Sequence, residues 1–216
     1  LIGVNAYYFQ YRKAGFRVED ARIKAAQRGQ EIFPAGGVKD SLVNSAKIRN
    51  TWALVALYFT TFGGFIALTA WFPIYWSEYQ SFSPVKAGLY TAMFSIMASA
   101  IRVPGGSIAD RFGGERVVLF AMLMILIASL ILSFSLTVPV SGSAVLLLAG
   151  GMGIANAAVF KLVPVYVARA VGGAAGWVGG LGAFGGFALP PIMGIIAGKL
   201  GRIGYSRGFL VFVGLA

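Results

Sequence analysis

Three stretches of this chain carry no charged residue at all: 51–76, 117–160 and 170–198. A helix rises about 1.5 Å per residue and the hydrocarbon core of a bilayer is about 30 Å thick, so each stretch is long enough to cross one. The middle stretch is long enough to cross twice. Unbonded backbone groups are not tolerated in hydrocarbon, which restricts spanning segments to helices and closed barrels. Barrel strands alternate polar and apolar residues over runs of about ten. The runs here are longer and do not alternate, so the expectation is an all-α membrane protein. Composition agrees, with 58% hydrophobic and 12% charged residues, against about 25% charged in soluble domains.

Turn-forming clusters at 81–84, 110–116, 139–143, 164–171 and 201–207 divide the apolar sequence. They imply complete spans at 51–76, 87–109, 117–138, 144–163 and 172–198. Residues 1–11 read as the end of an earlier span and 208–216 as the start of a later one, both truncated. Residues 12–49 form a polar loop ahead of a helix bundle at 50–216. Inside that loop, 18–32 and 38–49 have the makings of short surface helices, although a solvated linker is the simpler expectation.

Eighteen Lys and Arg stand against seven Asp and Glu, giving a net charge of +11. Nine of the basic residues lie in 12–49 beside four acids, and no basic stretch there is interleaved with stacking aromatics. The expected partner is therefore anionic membrane lipid and not nucleic acid. If that loop is cytoplasmic, its side of the membrane holds thirteen basic residues and the other side four (Lys86, Lys199, Arg202, Arg207). That bias predicts a multi-pass protein of the cell membrane with 12–49 inside.

The chain has neither His nor Cys. Imidazole bases, thiol nucleophiles and the commonest metal ligands go with them, so no enzyme activity, metal or cofactor is expected. Gly180 to Gly185 spell GxGxxG. A dinucleotide site needs a strand before that pattern and an acid about twenty residues after it, and both are missing. Small residues spaced four apart, as in Gly182 and Gly186, instead allow close helix contact or close approach of a small ligand to backbone.

One charge lies inside a span. Arg102 precedes Asp110 by eight residues, which puts it about 12 Å above the end of its helix. A guanidinium at that depth needs a counter-ion, and all seven acids fall in loops or at span ends. A transported anion would fill the role. Tyr58, Phe62, Asn156, Gly182, Gly185 and Gly186 come to similar depth when the spans are stacked, and are candidate lining residues.

Gly106-Ser-Ile-Ala-Asp110-Arg111-Phe-Gly113-Gly114-Glu115-Arg116 resembles the signature loop of the major facilitator superfamily, with Glu115-Arg116 in place of the usual basic pair. Tyr58-Phe-Thr-Thr-Phe62-Gly63, Arg102 ahead of Pro104-Gly105-Gly106, Gly153-Ile-Ala-Asn156 through Lys161, and Gly182 through Phe187 together resemble the nitrate/nitrite porter family. In the third of these, Ala155 stands where that family often has Gly.

The resemblance implies the C-terminal six-helix half of a major facilitator transporter, with its first and last spans cut and an N-terminal half as partner. It implies nitrate or nitrite as cargo, Arg102 as one of two clamping arginines, Phe62 as an aromatic wall and Tyr58 as a hydrogen-bond donor. Asp110, Arg111 and Arg116 would be gate elements. A carrier for another small or organic anion is the alternative that the same superfamily allows.

Overall fold

The computed structural model describes residues 37–216 together with Ile23 and Gln27. The expected span end at 1–11 and, those two residues aside, the expected helix at 18–32 lie outside the described residues. Among the described residues every regular element is helical. Helix α1 covers Val38–Ala46, and α2 covers Arg49–Tyr79 with two π turns, at Phe59–Gly63 and Tyr75–Tyr79. The long helices α3, α4 and α5 cover Pro84–Phe112, Gly114–Phe134 and Val138–Tyr166. A fifth crossing is made by α6, Val171–Ala183, and α7, Gly185–Leu200, on either side of Phe184. Short helices α8, Gly204–Arg207, and α9, Leu210–Leu215, follow.

Local chemistry sets these limits. Ser83 caps α3 by accepting from the Lys86 amide, with Pro84 at the first helical position, where its missing N–H costs nothing. Gly113, at φ 90°, turns the chain between α3 and α4. The helices run past the spans expected from hydropathy, 144–163 becoming Val138–Tyr166, because end residues such as Ser141 and Tyr166 remain helical outside the apolar run.

The structure differs from a solvated linker at 38–49. Ser41 and Ser45 of α1 are buried, and the Ser41 hydroxyl accepts from the Gly173 amide at 3.1 Å. That amide is one of the unpaired donors in the first turn of α6, so α1 caps α6 from outside. The Trp177 indole donates to the Leu42 carbonyl. Carbonyls at the end of α1 are taken in turn by Thr51 and Trp52 of α2, each at 2.8 Å.

Helix α5 is the centre of the bundle, packed against α2, α3, α4 and α6, whereas α3 lies at its edge. Lipid tails are as apolar as leucine, so helices associate through close packing. Where α2 meets α6 and α7 the approach is close: a Cβ on Gly63 would stand 2.5 Å from the Gly182 carbonyl oxygen. Gly180, Gly194 and Gly198 face open space. The basic cluster beyond α7 also acquires a role. Arg202 donates to the Tyr79 carbonyl at 2.9 Å and to the Ser81 hydroxyl at 2.8 Å, tying off the end of α2. Arg207 lies 4.1 Å above the Phe134 ring.

Gly63→Val is expected to destabilise the bundle by about 1–3 kcal/mol, the usual penalty for overpacking. Gly88→Ala, which meets nothing within 4 Å, should not destabilise it and adds up to about 1 kcal/mol of helix propensity. Thermal unfolding of the purified protein in detergent measures both, and equal midpoints would show that the seam is not tight.

Candidate anion site

Arg102 projects from α3 toward α2. Its Nε and Nη2 atoms are buried and have no hydrogen-bond partner among the described residues. Its guanidinium carbon lies 5.1 Å from the centre of the Phe62 ring and 5.0 Å from that of Phe65. The ring quadrupoles attract the cation by about 0.5–2 kcal/mol, far less than its desolvation costs. No carboxylate among the described residues reaches it: the ion pair found there joins Lys161 to Asp110. A cation held over aromatic faces with donors unspent has the chemistry to receive a small anion.

The π turn in α2 builds the wall beneath it. Such turns insert an extra residue into the helical repeat and are frequent at functional sites. Tyr58 stacks on Phe62 at 4.9 Å, Phe62 on Phe65 at 6.3 Å, and Phe160 of α5 meets Tyr58 edge-on at 4.8 Å. Tyr58 makes no hydrogen bond among the described residues, which leaves its hydroxyl free to donate. Phe65 belongs to this wall and was missed by the sequence reading. Its spacing from Tyr58 and Phe62, the i, i+4, i+7 of one helix face, is the signal that would have found it.

Asn156 is 4% exposed, and neither atom of its amide has a partner among the described residues. It lies between Met152, which packs near Gly64, and Phe160, which packs on Tyr58, and so stands level with the π turn. Thr61, inside that turn, is fully buried with its hydroxyl likewise unpartnered. Nothing in the sequence distinguishes it from the other span threonines.

Gly182, Gly185 and Gly186 take a different place. On the edge where a Cβ would stand, Gly182 meets the Tyr58 ring at 2.6 Å, Gly185 the Phe59 carbonyl oxygen at 2.6 Å, and Gly186 the Ile66 side chain at 2.6 Å. Those edges are filled by α2 and offer no open backbone to an ion.

At the loop-side end, Asp110 pairs with Lys161, whose amine also donates to the Gly106 carbonyl at 3.0 Å. Tyr166 donates to the Glu115 carboxylate. Arg111 lies 5.4 Å over the neighbouring Phe112 ring. Arg116 is exposed and makes no side-chain bond among the described residues. Ties between helix ends here run through Lys161 and Tyr166, which the sequence reading passed over. No cluster of three or more His, Cys, Asp or Glu side chains suited to a metal occurs among the described residues.

Comparison with known proteins follows the same direction. The chain is 36% identical over 159 residues to the "Nitrite extrusion protein" of Bacillus subtilis, covering 74% of this chain and 40% of that protein. It is 36% identical over 160 residues to the "Probable nitrate/nitrite antiporter NarK1" of Thermus thermophilus, covering 65% and 36%. It is 31% identical over 188 residues to the "Probable nitrate/nitrite transporter NarK2" of Mycobacterium tuberculosis, covering 84% and 46%. The chain thus spans less than half the length of these relatives. Five apolar crossings accompany a family match over residues 12–190, and the chain belongs to the Major Facilitator Superfamily, a family of multi-pass membrane transporters and not of enzymes.

Proposed function

We propose that this chain forms the C-terminal half of a carrier that moves nitrate or nitrite across the cell membrane by alternating access, with Arg102 clamping the anion. The observation that carries the reading is a guanidinium with two buried, unspent donors and no carboxylate paired with it among the described residues. Nitrate is a flat monoanion with three acceptor oxygens. The planar fork of Arg donates two parallel bonds to one edge of such an ion, a match that lysine cannot reproduce. Phe62 and Phe65 give the flat ion a wall, and the Tyr58 hydroxyl and Asn156 amide supply further donors from α2 and α5. Gly182, Gly185 and Gly186 serve by letting α6 and α7 seat Tyr58 and the π turn. The relatives' names point to the same cargo.

The charge bias of 12–49 sets that loop in the cytoplasm, between this bundle and an N-terminal half that supplies the opposing arginine. Two cations facing one cavity repel each other until an anion lies between them. Binding therefore favours closure of the two halves around a midplane site, and release reverses it. Asp110, Arg111 and Arg116 belong to the loop-side gate. No Asp or Glu among the described residues pairs with Arg102 and the chain has no His, so the anion itself resets the site's charge, through exchange or through symport whose proton route lies elsewhere.

Transport by the full-length protein in vesicles tests the clamp. Truncating one member of a buried charge contact costs about 2–5 kcal/mol, so Arg102→Ala should lower nitrate uptake by about 30-fold or more, and Arg102→Lys should remain poor. Near-normal uptake in both variants overturns the clamp. Unlabelled nitrite should displace labelled nitrate while a dicarboxylate should not. Displacement by the dicarboxylate alone assigns the carrier to another anion.

A further inference from the structure

Directly below Arg102, α3 runs through Pro104-Gly105-Gly106. Pro104 brings no N–H, which frees the carbonyl of the residue four positions earlier, and glycine is the next poorest helix former. The site's arginine therefore stands on the weakest turn of its helix. Yet an arginine that clamps a small ion must be held to within a fraction of an ångström.

The structure closes this turn from outside. Lys161 reaches across from α5 and places one ammonium on both the Gly106 carbonyl, at 3.0 Å, and the Asp110 carboxylate. Gly106 and Asp110 are four residues apart on one face, so a single side chain ties two successive turns of α3 to α5. Above it the seam is already tight: a Cβ on Gly105 would stand 2.9 Å from the Ile154 Cα, and one on Gly153 2.6 Å from the Ala98 carbonyl oxygen. The Lys161 and Asp110 side chains are 32% and 72% exposed. An ion pair so accessible adds little stability by itself. Its bond to a backbone carbonyl inside the weak turn has a different effect, since it fixes the peptide plane one turn from Arg102. Lys161 also follows Phe160, whose ring packs on Tyr58, so this one segment of α5 braces both the arginine and its aromatic wall.

We infer that Lys161 is a positioning residue of the anion site, holding Arg102 in place through the Gly106 carbonyl and linking that hold to the Asp110 ion pair at the gate. The inference rests on the anion-carrier reading above. With both anchors made, α3 is straight-jacketed against α5 and the guanidinium is fixed. When the ion pair opens, the ammonium keeps its Gly106 anchor, so the guanidinium stays in place while the end of α3 is released at the gate.

The test compares nitrate Kd, by titration calorimetry, and uptake rate in full-length protein carrying four changes. Misplacing a binding group by about an ångström costs on the order of tenfold or more, so Lys161→Met should raise Kd at least about tenfold. Lys161→Arg, which still reaches both acceptors, should stay within about threefold. Asp110→Asn leaves the amine on the carbonyl and should slow uptake with Kd within about twofold. Exchanging the charges, Asp110→Lys with Lys161→Glu, restores an ion pair, but a carboxylate cannot donate to the Gly106 carbonyl, so Kd should remain raised. An unchanged Kd in Lys161→Met, a rise in Asp110→Asn equal to that of Lys161→Met, or full recovery in the exchange overturns the inference. Should Lys161→Met fail to fold, the Asp110→Asn and exchange variants still decide it. If the wild type binds neither nitrate nor nitrite, the carrier reading fails instead; if binding needs Arg102 but not Lys161, only this inference falls.

Discussion

A guanidinium with two buried, unspent donors and no carboxylate paired with it among the described residues is the constraint around which this half of the molecule is arranged. Desolvating such a charge costs several kcal/mol even after relaxation, and the Phe62 and Phe65 faces return only part of that. On the carrier reading proposed above, the remaining deficit is met by an anion that comes and goes. A resident acid would neutralise Arg102 permanently and repel the cargo. Among the described residues Asp110 pairs with Lys161 and Glu115 accepts from Tyr166, both near helix ends. On the proposed reading, separating a bare cation in the middle from satisfied pairs at the rim would make the middle selective for anions.

Holding that cation against an aromatic wall requires helices closer together than ordinary side chains permit. The glycines of α6 and α7 meet the α2 backbone and the Tyr58 ring on edges that a methyl group would fill. This close contact has a chemical consequence. With α6 and α7 pressed onto the π turn, the turn's widened backbone presents Tyr58 and Phe62 stacked, with Phe65 beside them, toward α3. On the proposed reading, glycines that resemble a ligand-binding signature would act on the ligand through the ring they support.

How much of this was legible in the sequence depends on the range of the force involved. Spans were legible because twenty apolar residues in a row admit few alternatives, and Arg102 was legible because one charge within them stands out. The depths of Tyr58, Phe62 and Asn156 followed from rise per residue alone. Contacts between helices did not. Lys161 counted only as one more basic residue on the loop side until α5 proved to extend to Tyr166, parallel to α3, with its amine on Gly106 and Asp110. Docking of α1 on α6 depends on Gly173 accepting the Ser41 backbone without a side chain between them, a register that no local pattern encodes. Arg202 likewise looked like a misplaced charge until the end of α2 was seen to need a donor.

Other unpartnered groups bear on how the proposed site would distinguish its ions. Besides Arg102, Trp76 Nε1 and Ser129 Oγ, the Thr61 hydroxyl and both atoms of the Asn156 amide are buried without partners among the described residues, the last three on α2 and α5 at the level of the π turn. Each unmet group costs about 1–3 kcal/mol, and a bundle this closely packed would not be expected to keep three such groups at one level without return. If the Arg102 fork holds two oxygens of the ion, the Thr61 hydroxyl and the Asn156 amide nitrogen are donors available to a third oxygen or to a water in its place. Nitrate has that third oxygen and nitrite does not. Discrimination between the two would then reside in α2 and α5, away from the arginine that gives both ions their common affinity.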